Sequence, residues 1–285
     1  LIEEETCCFT LSKQGYIKRM PVDTYRTQSR GGRGVSAQNL KEEDYVKSLN
    51  IASTHDHMLF FTDQGRVHHR KGYQIPEAGR TARGTAIVNI LPLTEGETVT
   101  AMVVTREFNE DEYLVMVTRK GTVKRIPFIA LKTNRKGGIR AITLDEDDHL
   151  INVIRTTGDD NILLATREGM AICFNENDVR PMGRDAAGVR GIMLTDGDFV
   201  VGAERYDENK TLLTVTENGF GKRTELPEYL RTGPDGSKIP QSRGGKGLIN
   251  YHVEKYGDIA AVTSVSDNDD IILIASDGII IRIPA

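Results

Sequence analysis

Six copies of one pattern of apolar and polar positions run along the chain. In each copy an apolar stretch is followed by two or three polar residues, a glycine and a second short, often basic stretch. The apolar stretches are rich in Val, Ile, Leu, Thr and Tyr, which favour β-strands. A glycine between two such stretches suits a tight turn with positive φ, because it has no Cβ. The pattern predicts six hairpins with turns at Gly15, Gly65, Gly121, Gly169, Gly219 and Gly278.

Further features follow each hairpin at similar distances. A Gly-rich basic segment comes first, at residues 31–34, 82–84, 135–138, 188–191 and 244–247. Next come a third apolar strand, as at 87–91 or 139–144, an acidic turn, as at 41–44, 95–97, 145–148 or 196–198, and a fourth strand, as at 98–104 or 199–204. Residues 39–49 have a helix-like periodicity, but their place in the repeat predicts a turn and a strand.

Four strands in about 50 residues are typical of a propeller blade. The sequence therefore predicts an all-β fold, with a single domain over residues 1–285. Five repeats are complete, and the sixth ends at Ala285 after its second strand, so we expect an incomplete sixth blade. The chain starts at Leu1 and not at Met, and we interpret it as part of a longer protein. No apolar run reaches the ~18 residues of a membrane span, and we expect no membrane partner.

Catalytic and metal-binding patterns are weak in this sequence. Cys7, Cys8 and Cys173 form neither a disulfide framework nor a metal pair, and we expect thiols of a reducing cytoplasm. We interpret His55, His57, His68 and His69 as strand residues and the acidic residues 145–148 as a turn, not as metal ligands. The Gly-rich residues 79–85 lack the lysine of a Walker motif, and we interpret them as a loop. We expect no catalytic residue, no metal and no cofactor in this chain.

Charge is segregated along the chain, although the formal net charge is only -4. Residues 13–34, 64–84 and 119–140 are strongly basic, whereas the acids gather in the connections. In a ring of like blades these basic halves would form one belt that neutralises DNA phosphates with little sequence specificity. Such a curved belt would also bend the DNA. Residues 167–190 have balanced charges, so we expect the fourth repeat to bind weakly.

We predict DNA contacts from two groups of residues. The first group is the basic residues of the repeats: Lys18, Arg19, Arg66, Arg70, Lys71, Arg80, Arg83, Lys120, Lys124, Arg125, Arg135, Lys136, Arg140, Lys222 and Arg223. The second group comprises two Gly-Arg segments: Gln28, Ser29, Arg30, Gly31, Gly32, Arg33 and Gly34, and Gln241, Arg243, Gly244, Gly245, Lys246 and Gly247. In the first segment, the amides of Gly31 and Gly32 and the side chains of Arg30 and Arg33 would bind phosphate.

These two segments, QSRGGRG and QSRGGKG, carry a resemblance to a known family. The first resembles the seven-residue box of the bacterial DNA gyrase A C-terminal domain at six positions, and Ser29 departs from the usual basic residue. Residues 15–21, 54–68 and 219–229 are also similar to that family, so the resemblance covers essentially the whole chain. It implies a six-bladed β-pinwheel, in which blades exchange strands and the box joins the first and last blades. It also implies a role in wrapping DNA.

The resemblance further implies the cellular context. The partners would be duplex DNA, the gyrase A N-terminal domain with the active-site Tyr, and gyrase B, in an A2B2 enzyme that binds ATP and Mg²⁺ outside this chain. We expect a cytoplasmic, nucleoid-associated location and a monomeric isolated domain. The topoisomerase IV homologue has a degenerate box, so two near-complete boxes favour gyrase. Two alternatives stay open: a propeller that binds acidic proteins, and a propeller enzyme with a site at its axis.

Overall fold

Antiparallel β-sheets make up almost all of the regular structure in the computed structural model. The structure describes residues 1–23, 44–133, 135, 137–267, 270–274 and 279–283, the last two ranges as backbone. The first box, the predicted contact Lys136 and the turn glycine Gly278 lie outside these residues. Helical segments among the described residues are short turns: Gly72–Gln74, Ile87–Asn89, Phe128–Leu131, Glu176–Asp178, Leu226–Tyr229 and Val253–Tyr256. The predicted all-β fold class is confirmed.

Each of the first four sheets has four strands. Sheet one, in the order β3-β1-β2-β6, contains β1 (Thr6–Ser12), β2 (Tyr16–Pro21), β3 (Val46–Ser53) and β6 (Thr85–Ala86). Sheet two, β10-β5-β4-β7, contains β4 (His57–Thr62), β5 (Arg66–Lys71), β7 (Val99–Thr105) and β10 (Ile139–Arg140). Sheet three, β11-β8-β9-β14, contains β8 (Tyr113–Thr118), β9 (Thr122–Pro127), β11 (Leu150–Thr156) and β14 (Val189–Arg190). Sheet four, β15-β12-β13-β20, contains β12 (Asn161–Thr166), β13 (Met170–Asn175), β15 (Val200–Arg205) and β20 (Leu248–Ile249).

The remaining described sheets are smaller. Sheet five, β17-β16-β21, contains β16 (Thr211–Thr216), β17 (Gly221–Glu225) and β21 (Ile259–Val265). A separate hairpin pairs β18 (Arg231–Thr232) with β19 (Lys238–Ile239), and it lengthens the fifth repeat. Finally, β22 (Asp270–Ile274) pairs with β23 (Ile279–Ile283). The incomplete sixth blade stays a prediction.

The predicted hairpin turns are confirmed in the five described copies. Their glycines have φ between 84° and 90°, as at Gly65 and Gly169. A Ser or Thr three residues earlier also holds the turn, because its hydroxyl accepts a hydrogen bond from the amide that follows the glycine. In the third repeat, the Thr122 amide donates to Thr118 Oγ1 at 3.1 Å, and the Gly121 amide donates to the Thr118 carbonyl at 3.0 Å. The turn motif is therefore Ser/Thr-x-x-Gly.

The fourth strand of each four-stranded sheet is donated by the next repeat. The two residues of β6 pair with β2 of the previous hairpin, and β10, β14 and β20 pair in the same way with β5, β9 and β13. A hydrogen bond of 2.7 Å from the Ile87 amide to the Gly15 carbonyl continues the pairing of β6, and Asn250 bonds to Gly169 likewise at 2.7 Å. The sheets are therefore interlocked along the chain.

Two predicted third strands are wrong in their extent. Residues 87–91 are a 3₁₀ turn at Ile87–Asn89, and residues 141–144 lie outside the strand Ile139–Arg140. Only two residues pair in each case, because the chain then turns away from the neighbouring hairpin. By contrast, the strand predicted within residues 39–49 is confirmed, since β3 begins at Val46.

The chain divides into two compact units. The first comprises Leu1–Phe108 and Lys132–Ala141, and the second comprises Asn109–Leu131 and Ile142–Ala285. Within the first, Phe9 and Phe60 belong to one buried cluster, and within the second, Val117 and Leu164 belong to another. The strands of the hairpins are buried on both faces in these cores, so their apolar runs are nearly continuous. The single domain over residues 1–285 stays a prediction.

Candidate nucleic-acid interface

A short basic loop precedes each donated strand. We call these four segments the exchanged loops: residues 79–84, the described residues 133, 135, 137 and 138, residues 183–188 and residues 242–247. Each lies next to the second strand of the preceding hairpin, because the strand that follows it pairs there. Their described basic residues are half-buried or exposed: Arg80, Arg83, Arg135, Arg184, Arg243 and Lys246. The structure thus places basic side chains at equivalent points of four sheets.

Three of the loops end in a glycine with positive φ: Gly84, Gly188 and Gly247. In the loop at 79–84, the Ala82 amide donates to the Gly79 carbonyl at 3.2 Å, and Gly84 follows with φ 100°. A Cβ on Gly84 would lie 2.6 Å from the Ile17 carbonyl oxygen. Gly188 and Gly247 repeat this approach to Val123 and Ala171, at 2.5 and 2.3 Å. Positive φ and the close carbonyl together require glycine there.

Arg83 shows how such a loop directs a guanidinium. Its guanidinium carbon lies 3.8 Å from the centre of the Tyr16 ring, and Nη2 donates to Gln14 Oε1 at 2.8 Å. A cation over an aromatic face is attracted by the ring quadrupole. The contacts hold Arg83 beside the hairpin turn of the first sheet.

The second box is tied into the fold by its own arginine and glycines. Arg243 Nε donates to the Asp178 carbonyl at 2.9 Å, and its Nη1 donates to the Arg190 carbonyl at 2.7 Å. The Gly244 amide donates to Gly191, and the Gly245 carbonyl accepts from Met193, each at 2.8 Å. The Gly244 amide is therefore already used within the fold, and the predicted phosphate nest at Gly31 and Gly32 lies outside the described residues. Lys246 is exposed on this anchored loop.

Four predicted DNA contacts have their cationic groups directed into the fold. Lys18 and Lys124 are 1% and 0% exposed and bind loop carbonyls. Arg19 Nε donates to the Ile75 carbonyl at 2.7 Å, and Arg125 Nη1 donates to buried Glu176 Oε1 at 3.0 Å. Burial of Lys18 and Lys124 contradicts direct phosphate contact. A basic pair after the turn glycine is thus an internal support in repeats one and three.

The other predicted contacts on strands and turns have varied surroundings. Arg66 donates to Glu97 Oε2 at 3.0 Å, Arg70 to the carbonyls of His69 and Ile90 at 2.7 and 2.9 Å, and Lys71 to that of His55 at 3.1 Å. Lys120 donates to the Glu146 carbonyl, and Arg223 pairs with Asp267. Arg140 is exposed, as is Lys222, whose ammonium lies 5.1 Å from the centre of the Tyr251 ring.

The acids of the connections have a structural role that the sequence pattern did not indicate. The Asp148 carboxylate accepts from the Lys120 amide at 2.9 Å, and Asp198 accepts from the Glu168 amide at 3.0 Å. In the second repeat Glu97 accepts from Thr62 Oγ1 at 2.7 Å. Burial alone would raise the pKa of Glu97, but hydrogen bonds from Arg66, Thr62 and the Thr94 amide lower it to about 2. These acids hold the hairpin turns.

A metal site is not formed by the side chains that the structure describes. No group of three or more His, Cys, Asp or Glu residues is close enough to hold an ion in that part of the chain. His57 Nδ1 lies 2.7 Å from His69 Nε2, and His68 is fully buried. The three cysteines are buried and unbridged. None of the described helices is long and apolar enough to cross a membrane.

The comparison with known families gives a match over most of the chain. The family model described as the DNA gyrase C-terminal domain, beta-propeller, matches residues 8–53, 56–106, 112–157, 160–207 and 210–266. The chain belongs to this gyrase domain family. Each of the last four matched segments contains one hairpin, one donated strand and the return strand of the same repeat, and the first contains a hairpin and its return strand among the described residues. The predicted resemblance and the five complete repeats are confirmed.

Similar curated proteins are named as the A chain of DNA gyrase. The present chain is 49% identical over 284 residues to the gyrase A protein of Clostridium acetobutylicum, and 43% identical over 287 residues to that of Staphylococcus epidermidis. These alignments cover 99% of the chain but 33% and 31% of the relatives, so the chain spans about a third of their length.

Solved structures agree on the fold of this gyrase-family chain. The C-terminal domain of a DNA topoisomerase IV has a TM-score of 0.80 at 25% identity, over 100% of this chain and 85% of that one. A DNA gyrase A C-terminal domain has a TM-score of 0.70 at 23% identity, over 98% and 89%.

Strand exchange in this gyrase-family fold changes which basic residues belong together. Gly138 and the strand Ile139–Arg140 pack against the second hairpin, not the third, and the strand that follows the second box pairs with the fourth. Sheet three instead receives residues 183–188, in which Asp185 balances Arg184. Arg184 was not among the predicted contacts, because the Gly-rich segment of the fourth repeat was assigned to residues 188–191, which begin after Arg184. The correct alignment places Gly188 at the end of its loop, because it has the positive φ of Gly84 and Gly247, which end theirs.

Proposed function

We propose that this chain is a non-catalytic domain of a DNA gyrase A protein and that it binds and wraps duplex DNA. The observation that carries this proposal is the repeated placement of basic exchanged loops beside the second strands of the hairpins in four sheets. Cations at regular positions on a rigid scaffold neutralise phosphates and spread the cost of bending over many contacts. The family membership supports the same function.

Little sequence specificity is expected from this interface. The described helices are single turns of three or four residues, and none is long enough to lie in a major groove as a recognition helix. The basic loop residues are arginines and lysines, which bind phosphates irrespective of base sequence. DNA shape and deformability would then set any preference.

The wider context is proposed from the relatives. Because they are gyrase A proteins by name, we infer that the chain acts with the gyrase A N-terminal domain and gyrase B in an A2B2 topoisomerase. Strand passage and ATP hydrolysis would take place outside this chain. Bent DNA held by the loops would give direction to supercoiling. The isolated domain would be monomeric, and the enzyme would work on the bacterial chromosome in the cytoplasm.

Binding of the 285-residue chain to duplex DNA at several salt concentrations tests the electrostatic part. We expect log K to fall steeply with log[salt], by about 0.9 per neutralised phosphate. Replacing Arg80 and Arg83 by Ala should lower both the affinity and the slope. The matched control replaces Lys210 and Lys255 by Ala, which removes the same charge outside the loops. A flat salt dependence, or equal losses in both variants, would contradict the proposal.

Energy transfer between labels at the two DNA ends tests the wrapping part. Wild-type protein should shorten the end-to-end distance, and the Arg80, Arg83 double variant should bend DNA less even at saturating concentration. Unbent DNA in the saturated wild-type complex would exclude wrapping. Competition by poly-glutamate as strong as by duplex DNA would favour a protein-interaction propeller instead.

A further inference from the structure

The ammonium group of Lys18 is enclosed by the first exchanged loop. Lys18 is 1% exposed, and Nζ donates to the carbonyls of Gly79 at 2.9 Å, Arg80 at 3.2 Å and Ala82 at 2.9 Å. A lysine has three donors, and three carbonyls of one short loop use all of them. The loop backbone is therefore folded around a cation.

Lys124 repeats this arrangement in the third sheet. It is 0% exposed, and Nζ donates to the Arg184 carbonyl at 2.7 Å. Arg184 occupies the same loop position as Arg80, since both follow the glycine that accepts from the alanine three residues after it. Burial lowers the pKa of both lysines to about 8, so they are mainly charged at neutral pH. Two sheets thus share one support.

The same strand position differs in the other repeats. In sheet two the position is His68, and Gly138 packs against it. In sheet four it is Ile172, and Gly247 approaches the residue before it, Ala171. In repeat five the equivalent Lys222 is exposed and rests near Tyr251. A buried lysine is therefore not needed for the hairpin itself, and in sheets one and three its ammonium binds the exchanged loop.

We propose that Lys18 and Lys124 are positioning residues, whose buried ammonium groups hold the exchanged loops so that Arg80, Arg83 and Arg184 face DNA. They would act through the loop and not touch phosphate. The loop-holding part stands on the geometry alone, whereas its consequence for DNA rests on the proposed function.

Limited trypsin digestion tests the loop-holding part without DNA. Trypsin cuts after arginine, and the cutting rate of a folded protein reports local opening. In Lys18→Met, cleavage after Arg80 and Arg83 should accelerate about tenfold or more, because charge-assisted hydrogen bonds to the loop are lost. Lys222→Met is the matched control, and its loop cleavage should equal that of wild type. Circular dichroism confirms that each variant is folded.

A second site guards against a variant that does not fold. Lys124→Met should accelerate cleavage after Arg184 alone, and Lys18→His places at residue 18 the side chain that the chain carries at 68. If the folded variants are cut at the wild-type rate, the loop-holding proposal is overturned, whether or not the chain binds DNA.

A double-mutant cycle tests the consequence for DNA. Lys18→Met should weaken binding to a mixed-sequence duplex in the wild-type background. In the Arg80→Ala, Arg83→Ala background it should change the affinity by less than about twofold, since the residues through which it acts are absent. Equal losses in both backgrounds would show direct phosphate contact and overturn positioning. If wild type binds no DNA, the proposed function fails, and the digestion result still decides the role of the lysines.

Discussion

The last glycine of the second box provides a sharp test of how the loop is held. Gly247 has φ 81°, and a Cβ there would lie 2.3 Å from the Ala171 carbonyl oxygen. Because real Cβ contacts almost never fall below 3.0 Å, Gly247→Ala must displace this backbone by about 0.7 Å or more. Positive φ costs a non-glycine residue about 1–3 kcal/mol. Disturbed backbone hydrogen bonds between β20 and β13 would add about 0.5–1.5 kcal/mol each.

With two disturbed bonds the expected loss is about 2–6 kcal/mol, and it should appear as local opening because only a two-residue strand is anchored there. Hydrogen exchange of peptides covering residues 241–250 is the assay. A cost of 2 kcal/mol corresponds to about 30-fold faster exchange. Gly245→Ala is the control, since its Cβ would have no neighbour nearer than the Ser242 oxygen at 3.9 Å. Equal protection in the two variants would refute the argument from close approach.

Three further predictions follow from the contacts. Glu176→Gln should lower the free energy of unfolding by about 3–5 kcal/mol in urea denaturation, because it leaves buried Arg125 without its carboxylate. The pKa of Glu97 is held below its unfolded value, so its carboxylate contributes stability above about pH 4.5 that is lost as the pH falls towards 2. Glu97→Gln should therefore flatten this part of the profile of unfolding free energy against pH. Lys246→Ala should reduce DNA affinity with unchanged thermal stability, whereas Arg243→Ala should also loosen the box, as judged by hydrogen exchange.

The hairpins were predictable because they depend on neighbouring residues. An apolar run, a turn and a positive-φ glycine act within a dozen residues, and Gly15 through Gly219 have the conformation that this chemistry requires. The Ser or Thr that begins each turn was equally local. Its hydroxyl, which in Thr166 accepts from the Met170 amide at 3.1 Å, is a signal that the strand pattern concealed.

The pairing of the donated strands was not predictable from the residue pattern, because their partners lie in another repeat. Thr85 and Ala86 carry no strong strand signal, and their pairing with Ile17 and Tyr16 is fixed by packing. Likewise, nothing in the sequence YIKRMP distinguishes a buried lysine from an exposed one. Lys18 is buried because a loop 61 residues later covers it, whereas Lys222 in a similar sequence is exposed.

Strand exchange also determines what a charge pattern means in this fold. One run of basic residues along the sequence covers a hairpin of one sheet and a loop that packs against the sheet before it. The number of basic residues in such a run is therefore not the charge of either sheet. Lys124 and Arg125 support sheet three from inside, while Arg135 belongs to the surface of sheet two. The basic residues of one run therefore have opposite roles. Lys124, on a strand, holds a loop from inside, whereas Arg135, on a loop, is exposed and is proposed to contact phosphate.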